Sequence, residues 1–162
     1  MDKNKRIISI IAAVDENNAI GKNNELLCHL KKVTLNHTVI MGRHTFESLP
    51  KGALPNRKNI VLSSNNNADF PGCTTVNSIE EAFNLTEVED EVFIMGGGKV
   101  YKSAFNLADK LYITQIHHTF ENTDTFFPEI KSSEWNLIYE EHHSTDEKHA
   151  YNYTFQVYTR KK

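Results

Sequence analysis

A chain of 162 residues, 39% hydrophobic and 24% charged, has the size and balance of one ordinary globular domain. Its net charge of −3 argues against nucleic-acid or membrane-surface partners, which favour a basic patch. Two cysteines, Cys28 and Cys73, make neither a disulfide framework nor a zinc set, and no run reaches the ~20 apolar residues of a membrane span, so a cytoplasmic protein is expected.

The first predicted element is Ile7–Val14. Basic residues precede it, as in a secretory signal, but the apolar run is short and Asp15-Glu16-Asn17-Asn18 follows without helical continuation. It therefore reads as a buried strand. Residues 38–41, 59–62 and 91–95 share its continuous Ile- and Val-rich form, the habit of strands covered by helices on both faces. Between them, residues 45–49 form a short helix candidate, and "SSNNNADFPG" at 63–72 reads as a loop. Ser78-Ile79-Glu80-Glu81 is a capping box that starts a helix running to about Leu85, and residues 98–106 are a further helix candidate. From Lys110 onward the pattern changes. Residues 110–118, 135–141 and 151–158 alternate apolar and polar side chains, as half-exposed antiparallel strands do. The predicted fold is a single α/β domain over residues 1–162, parallel early and antiparallel at the end, with ligands at the C-terminal strand ends.

Three strand ends carry turn-to-helix junctions: "MGRHT", "VLSSN" and "IMGGGKVY". Each brings backbone N–H groups, hydroxyls or cations to the place where a strand stops, a setting that suits phosphate. Gly96-Gly97-Gly98 lets backbone approach a ligand closely. Arg43, Ser63, Ser64 and Lys99 add charge-assisted donors suited to several phosphates at once. The glycines lack the spacing of the usual dinucleotide fingerprint, and one such turn alone is as well explained by chain reversal. Arg57, in "LPNRKN", is either a bidentate clamp for a carboxylate or a solvated turn residue. Adjacent residues on a strand point to opposite faces, so neither His117-His118 nor His142-His143 can chelate one ion, and no metal is expected. Cys28 reads as a small buried residue rather than a nucleophile.

In order along nearly the whole chain, "IISIIAAVDENNAIGKNNELL", "HTVIMGRHTFESLPKGALPNRKNIVLSS", "VFIMGGGKVYKSAF", "KLYITQI" and "DTFFPE" resemble dihydrofolate reductase of the bacterial chromosomal type. The resemblance implies an eight-stranded, mostly parallel sheet with an antiparallel C-terminal strand and helices on both faces. It implies an NADPH-dependent reductase of 7,8-dihydrofolate that serves one-carbon metabolism and binds antifolates; separately, no long apolar surface stretch stands out, so a monomer is expected. Arg43, His44 and Thr45 would grip cofactor phosphates, with Ser64 and Arg43 on the 2′-phosphate and Leu62 and Ser63 beside the adenosine. Gly96, Gly97, Gly98, Lys99, Val100 and Tyr101 would form the second phosphate-binding helix start, with a cis peptide between Gly96 and Gly97. Ala13, Ile20 and Gly21 would meet the nicotinamide, under a mobile loop of residues 23–27 that includes Leu26. Ile11, Ala12, Leu54, Met95 and Tyr101 would shape the substrate pocket, and Arg57 would clamp the glutamate tail.

One departure stands out. Members of the family usually carry a segment like L-P-x-D-L-x-x-F-K where Leu30 here runs straight into Lys31. About seven residues are absent, roughly 10 Å of helix, and with them the usual active-site Asp that Thr114 would support. General acid–base help of that kind is worth ~10²–10⁴ in rate. Three readings stand open: the complete chain holds a further segment there, the segment is deleted and catalysis impaired, or another acid such as Glu25 takes its place. A true deletion would leave an NADPH- or folate-binding protein. A related pyrimidine reductase is the remaining alternative.

Overall fold

The computed structural model describes residues 6–20, 32–49, 51–64, 70–121, 125–145 and 151–161. Strand β1 (Ile7–Val14) is buried from Ser9 onward, and its period-two alternation divides the core in two. Ile10, Ala12 and Val14 pack on one face of the sheet with Ile40, Ile60, Ile94 and Ile113. Ile11 and Ala13 pack on the other with Val39, Met41, Val61, Phe93 and Met95. Burial on both faces explains why the sequence shows unbroken apolar runs.

The remaining strands are β2 (Thr38–Gly42), β3 (Asn59–Leu62), β4 (Cys73–Val76), β5 (Glu91–Ile94), β6 (Lys110–Ile116), β7 (Trp135–His143) and β8 (Tyr153–Arg160). They form one sheet in the order β4-β3-β2-β5-β1-β6-β8-β7. β1 to β6 pair in parallel, β6 and β7 each pair antiparallel with β8, and β8 alone runs against the other seven. The expected fold is therefore the observed one. Helices α2 (Ile79–Asn84) and α3 (Gly98–Ala104) bury Ile79, Phe83, Tyr101 and Ala104 on the first face. Helix α1 (Arg43–Glu47) lays Phe46 on the second. No helix among the described residues is long and apolar enough to cross a membrane.

The capping box is real: Ser78 accepts the Glu81 N–H at 3.1 Å, while Glu81 reaches back to the Asn77 N–H at 2.9 Å. Other boundaries move. β4 falls inside a stretch with no strand prediction, because "CTTV" is a half-exposed edge held only by pairing with β3. α1 begins at Arg43 rather than 45, directly on the strand end, with Gly42 as N-cap. The helix predicted over 98–106 ends at Ala104 and passes into a 3₁₀ turn, Phe105–Leu107. β6 stops at Ile116, two residues short of the predicted end, while β7 and β8 run on to His143 and Arg160.

Candidate active site

β3, β2 and β5 are neighbours, so their C-terminal ends lie side by side and all three predicted junctions meet. They line a cleft of about 550 Å³ with Gly42, Arg43, His44 and Thr45 on one wall and Leu62, Ser63 and Ser64 on another. Gly97, Gly98, Lys99 and Val100 complete it. The Gly42 N–H donates to the Gly96 carbonyl at 2.8 Å, tying two junctions together. The Gly96–Gly97 peptide is cis, as the resemblance implied. Gly96 sits at φ +124°, where a Cβ would also crowd Thr45 Oγ1 at 3.2 Å. The first intrahelical bond of α3 is Tyr101 N–H to the Gly97 carbonyl, so the amides of Gly98, Lys99 and Val100 have no partner within the helix.

The cleft also holds a residue that the sequence reading did not single out. Thr125, from the segment "DTFFPE", lies against Gly98 so closely that a Cβ there would overlap its side chain. Its carbonyl accepts the Ile20 N–H at 2.9 Å. Ile20 in turn lies beside Gly98. The turn before Ile20 is fastened by Asp15, which is buried and accepts the N–H groups of Asn17, Ala19 and Phe120 at 2.8–3.0 Å. Arg43 and His44 both face Glu47, at 3.7 and 3.6 Å, with the Arg43 side chain half exposed at the rim. Pairs this exposed contribute little to stability.

On the second face of the sheet, Ile11, Ala13, Leu54 and Met95 form one buried apolar surface. Thr114 is buried and stands in register with Ala13. Ala12 does not join them. It pairs with Ile113 and packs into the opposite core, so its side chain faces away from the predicted pocket. Tyr101 also sits on that opposite side. Its hydroxyl lies 2.8 Å from the Ile11 carbonyl and 2.9 Å from that of Met95, and its one proton serves either. Burial drives the phenol well above its ordinary pKa, so Tyr101 is a neutral brace between β1 and the end of β5.

Arg57 is partly buried and hydrogen-bonded within the fold. Its Nε donates to Thr34 Oγ1 at 3.0 Å and its Nη1 to the Pro55 carbonyl, and burial lowers its pKa from the ordinary arginine value. Buried Asn59 fixes the preceding loop. Its carboxamide accepts the Leu54 N–H at 3.0 Å and donates to the carbonyls of Leu54 and Arg57 at 2.9 and 3.1 Å. Asn56, at φ +60°, makes the turn between them.

Gly21, Glu25, Leu26, Cys28 and the Leu30–Lys31 junction lie outside the described residues. Among the described residues no group of three or more His, Cys, Asp or Glu is placed to hold a metal ion. His117 Nε2 and His142 Nδ1 instead lie 2.7 Å from the Thr154 hydroxyl.

The dihydrofolate reductase family model matches residues 7–160. The chain is 44% identical to the dihydrofolate reductase of Bacillus subtilis (strain 168), an alignment covering 96% of this chain and 95% of that one. It is 40% identical to the dihydrofolate reductase of Staphylococcus haemolyticus, over 94% and 95% of the two chains. Among solved structures, that of dihydrofolate reductase from Enterococcus faecalis complexed with NADP(H) and RAB-propyl superposes with a TM-score of 0.85 at 36% identity, covering 96% of this chain and 97% of the other.

Proposed function

The chain belongs to the dihydrofolate reductase family, and from that premise we propose that it reduces 7,8-dihydrofolate to 5,6,7,8-tetrahydrofolate with NADPH. The observation that carries this reading is the convergence of three strand ends on one cationic, glycine-floored cleft next to a buried apolar face. The cleft suits the cofactor on its own terms. Arg43 and Lys99 supply positive charge, Ser63, Ser64 and Thr125 supply hydroxyls, and the glycines at 97 and 98 leave room for pyrophosphate.

In this reading Arg43 and Ser64 take the 2′-phosphate, which favours NADPH over NADH by direct charge neutralisation. Gly97, Gly98, Lys99 and Val100 take the pyrophosphate, joined by Thr125. Ala13 and Ile20 hold the nicotinamide against the face made by Ile11 and Met95. When bound, the cofactor supplies a hydride from nicotinamide C4 to C6 of the dihydropterin, whose N5 gains a proton. Ile11, Leu54 and Met95 wall the pterin and aminobenzoyl groups away from water. Arg57 receives the carboxylate of the glutamate tail. Asp15 is no substitute for the absent acid, because its two oxygens are already taken by three backbone N–H groups.

The binding-only and pyrimidine-reductase alternatives gain no support from these relatives, all of which are named dihydrofolate reductases. We propose further that the protein acts in the cytoplasm as a monomer and that its substrate cleft takes antifolates. The test is oxidation of NADPH by the full chain with dihydrofolate, followed by loss of the cofactor's near-ultraviolet absorbance. Dihydrofolate-dependent turnover blocked by methotrexate is expected. NADPH binding without turnover would instead favour the binding-only reading.

A further inference from the structure

The side chain that fixes Arg57 is built into the core. Thr34 is 0% exposed, and its carbonyl accepts the His37 N–H at 2.9 Å in a turn completed by Asn36 at φ +67°. The His37 ring packs edge-on against buried Phe93, with centroids 5.5 Å apart. The Thr34 hydroxyl is therefore held from the protein interior. Asn59 meanwhile holds the Arg57 carbonyl, so both ends of the arginine are fastened to buried groups.

A guanidinium meets a carboxylate either side-on, through Nε and Nη2, or end-on, through Nη1 and Nη2. Donation of Nε to Thr34 closes the side-on mode to a carboxylate, and with Nη1 donating to the Pro55 carbonyl it fixes the plane of the guanidinium at two points. Resting on the reductase reading above, we propose that Thr34 is a positioning residue that sets the plane of Arg57, and thereby the preference for substrates bearing an acidic tail over dihydropterins that lack one. Loss of its hydroxyl removes the hold on Nε, leaving the Pro55 carbonyl on Nη1 to fix the fork less tightly. The proposed pterin walls and phosphate-binding residues are different side chains.

Steady-state kinetics of Thr34→Val, Thr34→Ser and Arg57→Lys test this, with dihydrofolate and with a dihydropterin carrying a methyl group in place of the tail. Thr34→Val should raise KM for dihydrofolate about tenfold, as expected for one charge-assisted hydrogen bond, with kcat changed less than about twofold. KM for the tail-less substrate should change by less than about twofold, and Thr34→Ser should restore the parental KM for dihydrofolate. Arg57→Lys should raise KM for dihydrofolate at least as much as Thr34→Val. An unchanged dihydrofolate KM in Thr34→Val, or equal losses with both substrates, would overturn the proposal. If Arg57→Lys is also silent, the tail-clamp reading itself fails; if only Thr34→Val is silent, Arg57 stands and Thr34 does not. Should Thr34→Val not fold, the Arg57 Nε–H resonance of the parent protein decides: slow solvent exchange supports the proposal, and exchange as fast as in a free arginine overturns it.

Discussion

The amide of Gly42 donates to the carbonyl of Gly96 across 2.8 Å, and this bond ties the end of β2 to the turn that follows β5, its distant neighbour in sequence. It helps set the floor of the cleft, because Gly42 is the N-cap of α1 and Gly96 stands two residues before the start of α3.

Gly98→Ala is predicted to damage that floor. The added methyl overlaps Thr125, so either α3 or the Thr125 segment must shift, at a cost of about 1–3 kcal/mol. NADPH affinity, measured by fluorescence titration, should fall about tenfold, and the melting temperature should drop.

Arg43→Gln tests the cofactor preference. NADPH should lose about 10- to 100-fold in kcat/KM, the range of a lost charge-assisted contact, while NADH should change by less than about threefold. The ratio of the two cofactors in the standard assay gives the answer directly.

Tyr101 makes a pH prediction. Its folded pKa is raised by burial above the ordinary tyrosine value of about 10, so the folded state holds the phenolic proton more tightly than the unfolded state does. The resulting stability is fully present below pH ~10 and is lost as pH rises toward the folded pKa. Tyr101→Phe should flatten this alkaline limb in denaturation experiments. At neutral pH it should cost about 1–3 kcal/mol, since the carbonyls of Ile11 and Met95 lose their shared donor.

Cys73 should be sluggish toward thiol reagents. Burial pushes its pKa up to about 11 from 9.0, which cuts the thiolate fraction at neutral pH by about a hundredfold. Peptide-resolved mass spectrometry after labelling with a disulfide reagent should show Cys73 reacting far more slowly than free cysteine.

These features were unequally legible in the sequence. β1, β2, β3 and β5 announced themselves because both of their faces are buried, whereas β4 did not, since Cys73 and Thr75 are only half buried and Thr74 faces solvent. The three strand-end junctions could be named individually, but their meeting depends on β5 inserting beside β2, a pairing that nothing local encodes. The Ala12 side chain turns to the opposite core because residues adjacent on a strand share a motif but not a face. Thr34 and Asp15 escaped notice for another reason. They act through bonds to residues 23 and 105 positions away, and Asn59, five residues from Leu54, serves a turn whose shape needs Asn56 in the left-handed region. Buried polar residues of this kind have no periodicity to betray them.

The most direct measurement is a crystal structure of the full chain with NADPH and a folate-type ligand that carries its glutamate tail. The 2′-phosphate is expected between Arg43 and Ser64, the pyrophosphate along Gly97 to Val100 beside Thr125, and the tail carboxylate on the guanidinium of Arg57. A cofactor bound away from these strand ends, or a tail carboxylate that makes no contact with Arg57, would contradict this reading.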